Sequence, residues 1–290
     1  MEKVSKKGIF FAILAATLYA LNSPFSKLIL DFLPPTIMAG TLYVGAGAGM
    51  GVIALCRRAC KIKTTEKRLS RSDFPYTLAM VLLDIGAPIC LLLGLNSTSA
   101  SSASLLNNFE IVATAIIALI LFGEKISKRL WVGIVFITIS CTLLSFENIK
   151  GFDFSPGSLL ILLACVLWGF ENNCTRRLSD KDPMEIVIVK GIFSGIGSIL
   201  TGLIIGERIT VLWAFFAALL IGFVAYGLSI FFYVYAQRFL GAARTGAYYA
   251  VAPFIATLLS LAIFREIPHF TYFIALGFMA IGAWLAAKDS

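Results

Sequence analysis

The sequence predicts an all-α membrane protein of ten transmembrane helices, arranged as two inverted five-helix repeats. Three observations carry that expectation. Of the 290 residues 59% are hydrophobic and only 14% charged, and the mean hydropathy is +0.91; a soluble chain carries about 25% charged residues. Ten apolar segments approach the roughly 20 residues needed to cross a bilayer core of about 30 Å. The second half also repeats the first, and an odd number of spans per half turns the second half upside down.

The first repeat, 8–146, opens with Gly8–Leu30, which carries Tyr19, Asn22 and Pro24. Pro35–Cys56 follows, with Gly45, Gly47, Gly49 and Gly51 spaced by two, as small residues are where helices pack closely in lipid. Phe74–Leu95 carries Asp84 and Pro88, Ser99–Phe122 carries Asn107, Asn108 and Glu110, and Leu130–Phe146 is almost wholly apolar. The second repeat, 156–287, runs Pro156–Arg177 with Trp168, Glu171 and Asn172, then Met184–Gly206 with Lys190 and the small residues Gly191, Gly195 and Gly197. Val211–Tyr235 carries Tyr226, Ala243–Phe264 carries Tyr248, Tyr249 and Pro253, and Phe270–Ala287 closes the chain. Pro24, Pro88 and Pro253 interrupt helical hydrogen bonding and mark expected bends. The first span has no small-residue cleavage pattern and is read as a retained helix.

The internal repeat is visible in two places. LLNNFEIVATAIIALILFGEKI (Leu105–Ile126) recurs as AYYAVAPFIATLLSLAIFREI (Ala247–Ile267), which puts Leu119, Phe122 and Glu124 on Leu261, Phe264 and Glu266. LAATLYALNSPFSK matches LACVLWGFENNCTR, which puts Tyr19 on Trp168, Ser26 on Thr175 and Lys27 on Arg176. Orientation follows from basic residues, which concentrate in cytoplasmic loops. With both termini inside, nineteen of the 24 Lys and Arg face the cytoplasm and only Lys27, Lys150, Arg208 and Arg265 face out.

Several function classes drop out. The single histidine, His269, stands in an expected outer loop, so His-based metal sites and Ser-His-Asp triads lack their parts. There is no Walker loop, GxSxG or HExxH pattern, so neither an enzyme nor a cofactor or metal site is expected. The six cysteines read as inert thiols, and Cys56 and Cys60 have CxxxC rather than CxxC spacing. The net charge of +8 is spread over cytoplasmic loops and ends, which makes it topological and no sign of nucleic-acid binding.

The informative residues are those that cost most to place. A charge at the bilayer centre costs about 2.5–3.5 kcal/mol even on insertion scales, so Asp84, Glu110, Glu171 and Lys190 are expected to face the bundle interior. Glu171 and Lys190 lie at similar depth on consecutive helices, so a structural ion pair and a solute contact are both open for them. Asp84 and Glu110 show no evident basic partner and are read as solute-binding or proton-coupling groups, with helix–helix hydrogen bonding as the alternative. Glu110 lies roughly 15 Å into its span at 1.5 Å per residue. Asn22, Asn107, Asn108 and Asn172 must each satisfy an amide in lipid. With Trp168, Tyr226, Tyr248 and Tyr249 they complete the candidate solute-binding or coupling set.

These same residues resemble a known family. GAARTGAYYAVAPFIATLLSLAIFREI is similar to the signature of EamA-type transporters of the drug/metabolite transporter superfamily, and LWGFENN is similar to the aromatic-Gly element that opens each repeat. The resemblance implies ten helices, two inverted repeats and a central cavity reached alternately from each side. The halves have diverged: Ile111 stands where the second half has Pro253, Tyr19-Ala20 where it has Trp168-Gly169, and Leu42 where it has Lys190. The expected protein is a secondary transporter in the inner membrane, read as an exporter of a small polar organic metabolite such as an amino acid or amine. Its expected partners are that solute, the lipid bilayer and a coupling proton. A channel or lipid scramblase is the second reading, a membrane-embedded enzyme the third.

Overall fold

The computed structural model describes residues 6–61, 66–122, 127–148, 153–178, 180–240, 248–249, 251–265 and 270–289. It is almost entirely helical. Helices α1 (Lys6–Ala20) and α2 (Asn22–Ile29) form one stretch, interrupted at Leu21 just before Pro24. Helix α3 (Pro35–Ala59) starts on a proline, whose fixed φ and missing N–H suit a first helical turn. A 3-10 turn at Arg71–Asp73, closed by a capping box between Ser70 and Asp73, leads into α4 (Phe74–Asn96), which runs through Pro88 unbroken. The next stretch is split into α5 (Ala100–Leu106) and α6 (Phe109–Phe122), with Asn107 and Asn108 at the break. Helix α7 (Lys128–Ser145) ends in a small antiparallel pair, β1 (Phe146–Asn148) and β2 (Asp153–Phe154), so the chain departs from a purely helical fold at this hairpin.

The second half continues with α8 (Pro156–Leu178) and with α9 (Pro183–Ile204), capped by Asp182. Helices α10 (Leu212–Ile221) and α11 (Ser229–Leu240) are joined by a π-helical segment, Gly222–Leu228, that carries Tyr226. Helices α12 (Ala252–Phe264) and α13 (Phe270–Asp289) close the chain, with Pro253 in the first turn of α12. Pro253 thus starts a half-helix, whereas Pro88 leaves its helix continuous.

Among the described residues, seven stretches are long and apolar enough to cross a membrane: Lys6–Ile29, Pro35–Ala59, Arg71–Asn96, Ala100–Leu121, Pro156–Leu178, Pro183–Ile204 and Leu212–Ala236. The other three expected spans overlap α7, α12 and α13, with residues 243–247 and 250 of Ala243–Phe264 outside the described residues. Helix α7 spends its first turn on Lys128 and Arg129, and the apolar parts of α12 and α13 are the shorter Ala252–Phe264 and Phe270–Leu285. Glu124, Glu266 and His269 lie outside the described residues, as does Lys150.

The glycines explain the packing. Helices α3 and α9 cross at small residues: a Cβ on Gly47 would lie 2.6 Å from the Ile192 nitrogen, and one on Gly191 2.4 Å from the Gly47 nitrogen. Backbones approach this closely only without side chains between them. Helix α4 lies on α8 where Gly94 meets the Gly157 carbonyl, and α7 lies on α13 where Gly282 meets the Gly133 carbonyl. Helix α1 packs on α11 through stacked Phe11 and Phe232. The core gathers Leu42, Tyr43, Leu91, Leu105, Ala164 and Trp168, while Phe10, Leu82, Ile120, Phe193, Leu200 and Phe216 lie exposed on the outside. An apolar exterior around a core of alanines, glycines and polar groups suits lipid as the surrounding solvent.

Candidate functional site

The four costly residues, on α4, α6, α8 and α9, gather into two adjoining centres. Lys190, on α9, sits between two carboxylates, 3.0 Å from Asp84 Oδ2 on α4 and 3.0 Å from Glu171 Oε1 on α8. Asp84 also accepts a hydrogen bond from the Tyr43 hydroxyl at 2.9 Å, and Tyr43 in turn accepts from Trp168 Nε1 at 3.4 Å. Glu171 accepts from Thr175, one turn further along its helix. Asp84, Glu171 and Lys190 are 0%, 2% and 6% exposed. Sealing charges this deeply is tolerable only because they are paired and hydrogen-bonded. The expectation of an ion pair between Glu171 and Lys190 is met by a larger arrangement, in which Asp84 is the third member rather than a lone carboxylate.

Glu110 forms a second centre. It lies in the first turn of α6, just past the helix break, and Asn172 Nδ2 donates to its Oε1 at 2.6 Å. Asn172 also donates to Thr114 Oγ1 at 3.3 Å, and Asn173 donates to the Thr114 carbonyl at 3.2 Å. Unlike the Lys190 group, Glu110, Thr114 and Asn172 keep part of their surface accessible. Tyr19, Tyr43, Tyr226 and Tyr249 gather next to the Lys190 group, linked to Asp84 through the Tyr43 hydroxyl. Their rings form a cluster: Tyr19 and Tyr226 lie 5.9 Å apart, Tyr19 and Tyr249 5.7 Å, and Tyr43 and Tyr226 5.0 Å.

Asn22 donates to the Tyr226 hydroxyl at 3.1 Å and accepts from Ser26. This contact and the Glu171 group are related by the internal repeat. Ser26 falls on Thr175, and in both places the hydroxyl donates to the residue four positions earlier. Leu42 stands where Lys190 stands, so the first-half version is neutral. The π segment that presents Tyr226 is a feature often found at functional sites.

Of the twelve residues singled out in the sequence, Asn22, Asp84, Glu110, Trp168, Glu171, Asn172, Lys190, Tyr226 and Tyr249 belong to this connected group. Asn107 and Asn108 stand at the α5–α6 break, 7% and 2% exposed, and the Asn108 amide nitrogen is buried without a hydrogen-bond partner. Tyr248 is elsewhere, packed on Ala12 and Ala236. Tyr43, Thr114, Asn173 and Thr175 are additions. Tyr43 was detectable as a lone phenol among the small residues of its span. Thr114 carried no signal, because a hydroxyl can always return its bond to its own helix, and Thr175 was marked only by its match to Ser26 in the repeat. Cys165, read as an inert thiol, points at the break, 3.6 Å from the Leu106 carbonyl and 3.8 Å from that of Asn107.

Comparison with known proteins places this geometry in context. The profile of the EamA-like transporter family matches residues 6–146 and again 155–287. An uncharacterized transporter of Methanothermobacter thermautotrophicus is 24% identical over 282 residues, covering 89% of this chain and 79% of the relative. The uncharacterized inner membrane transporter YedA of Escherichia coli K12 is 26% identical over 254 residues, covering 84% and 78%. YyaM of Bacillus subtilis, also described as an uncharacterized transporter, is 22% identical over 259 residues, covering 84% and 82%. A solved crystal structure superposes with a TM-score of 0.71 at 18% identity, covering 99% of this chain and 97% of the other, which shows a shared fold.

Proposed function

The chain belongs to the EamA-like transporter family, and from that membership we propose a secondary transporter that exports a small polar organic metabolite, an amino acid or amine, across the inner membrane by alternating access. That it is a multi-pass membrane transporter rather than an enzyme follows from the family and from its relatives. The solute, the direction and the mechanism are our reading. So are the ten-helix count, the two inverted repeats over 8–146 and 156–287, and the cytoplasmic placement of both termini.

One observation carries the reading: four of the polar contacts at the centre cross between the halves. Asp84 meets Lys190, Glu110 meets Asn172, Tyr43 meets Trp168 and Asn22 meets Tyr226, each pair with one member from either half. A central site divided between two repeats is what alternating access requires, since rocking one half against the other changes the site's exposure.

Helix pairing supports the same arrangement. Numbering the expected spans one to ten, span two packs on seven and five on ten. The pairing of three with six has its counterpart in eight with one, and that of four with six in nine with one. These pairings map onto one another when each span is exchanged for the one five places away. The break at Asn107–Asn108 and the start of α12 at Ala252 also fall at corresponding places, with Asn107 matching Tyr249 in the repeat. Interrupted helices at matched positions are the usual walls of a transporter's central site.

Counterflow into proteoliposomes tests the proposal. Vesicles preloaded with unlabelled solute should accumulate labelled solute in a saturable way. Linear, non-saturating flux without counterflow would indicate a pore.

A further inference from the structure

We propose that the solute is an organic amine without a carboxylate group, and that Glu110 is the residue that meets its ammonium. The inference rests on the carrier reading above and narrows the solute class from amino acids and amines to amines alone.

The two charged centres differ in access and in unused capacity. Lys190 is the group that an amino acid's carboxylate would seek. It is 6% exposed and already contacts two carboxylates at 3.0 Å each. An incoming carboxylate would have to displace Asp84 or Glu171, or become a third anion around one ammonium. Displacement would leave a buried, uncompensated charge, which is strongly unfavourable. A solute carboxylate therefore finds no spare cation at Lys190.

Glu110 is the opposite case. Its partner is the neutral amide of Asn172, and it keeps accessible surface although it sits mid-span. Three carboxylates stand in this region against the single ammonium of Lys190. An amine at Glu110 reduces that excess. A zwitterion leaves it unchanged and adds an anion without a partner.

The tyrosines supply the rest of the recognition. Tyr19, Tyr226 and Tyr249 form a ring cluster in which Tyr19 lies 5.9 Å from Tyr226 and 5.7 Å from Tyr249. A cation within about 6 Å of an aromatic centroid is held by the ring's quadrupole, more so where water is excluded. A carboxylate on the same faces is repelled by that quadrupole. The rings also bury the apolar body of an alkyl- or arylamine.

The experiment uses pairs that differ by one carboxylate. Full-length protein in proteoliposomes is loaded with phenethylamine, and counterflow of labelled phenethylamine is competed with phenethylamine or phenylalanine. Isoamylamine and leucine form a second pair. The expected result is half-inhibition by each amine at a concentration at least tenfold lower than by its amino acid. Glu110→Gln should abolish amine counterflow. Glu110→Asp, which keeps the charge on a shorter arm, should retain the preference at reduced rate. Equal or better competition by the amino acids overturns the inference. So does an unchanged amine preference in Glu110→Gln protein with wild-type elution and melting temperature. Counterflow of some other solute class with none for amines sinks the inference and leaves the carrier reading standing, whereas the absence of counterflow for every solute sinks both.

Discussion

Replacing Lys190 with methionine keeps the length of the side chain and removes the charge that holds Asp84 and Glu171 together. Both carboxylates then remain sealed, 0% and 2% exposed, with no cation between them. Removing one partner of a buried ion pair costs about 3–5 kcal/mol. At about 2 °C per kcal/mol, the lower slope for larger chains, melting should fall by roughly 6–10 °C. Asp84→Asn is the instructive contrast. It leaves Lys190 paired one-to-one with Glu171, and the new amide can turn its oxygen to the Lys190 ammonium and donate its NH2 to the Tyr43 hydroxyl oxygen. The loss there is the extra strength of a charged hydrogen bond, about 1–2 kcal/mol, or roughly 2–4 °C on the same slope. The triple variant Lys190→Met, Asp84→Asn, Glu171→Gln carries no charge in the cluster and should recover most of the loss, because neutral replacements of buried ion clusters are often tolerated. The assay is intrinsic-fluorescence melting of purified protein in one detergent at fixed pH. An Asp84→Asn protein as unstable as Lys190→Met would refute the assignment of one cation shared by two anions.

The helix crossing gives a second ranking. Gly47→Ala pushes a methyl to 2.6 Å from the Ile192 backbone and should destabilise by about 1–3 kcal/mol as an overpacked contact, while Gly51→Ala, with open space around it, should be neutral or slightly stabilising by melting. At the expected outer face, Glu207 accepts from the Thr36 and Ile37 backbone N–H groups at 3.3 and 2.8 Å. Glu207→Gln keeps one of the two acceptors and loses the charge at the start of α3, so a loss of about 1–2 kcal/mol is expected from the missing hydrogen bond and the helix dipole together, measured in the same way. For topology, after the exposed Cys56 and Cys60 are removed, Arg68→Cys should react with a membrane-impermeant maleimide only from the cytoplasm and Asp153→Cys only from outside. Reaction of both from one side would rule out the inverted arrangement.

Much of the fold was legible because membrane insertion is a local, sequence-summed property. A run such as Pro183–Ile204 announces its helix through its own apolar content, whatever its neighbours do. The limits of that reasoning appear at α7 and α12. There the apolar content of the chain suggested full spans, but α7 opens on Lys128-Arg129, and α12 is described from Ala252, with Pro253 in its first turn. The α5–α6 break lies inside what reads as one apolar segment. Its marks were the Asn107-Asn108 pair in one half and Pro253 in the other, signals that look unrelated until the halves are aligned.

The candidate site divides along the same line. The sequence by itself determined which residues had to be accounted for: Asp84, Glu110, Glu171 and Lys190 are each too costly to face lipid, and that cost belongs to the residue alone. Only the tertiary structure decided their partners. Asp84 and Lys190 are far apart in the chain, and their contact exists because α4, α8 and α9 close around one point. Adjacent Tyr248 and Tyr249 part company for the same reason, one joining the ring cluster at Tyr19 and the other packing on Ala12 and Ala236. The free energy of placing a charge or a ring in the membrane is additive along the chain. Its pairing depends on directions in space, which are set only when the glycine-lined helices lock together.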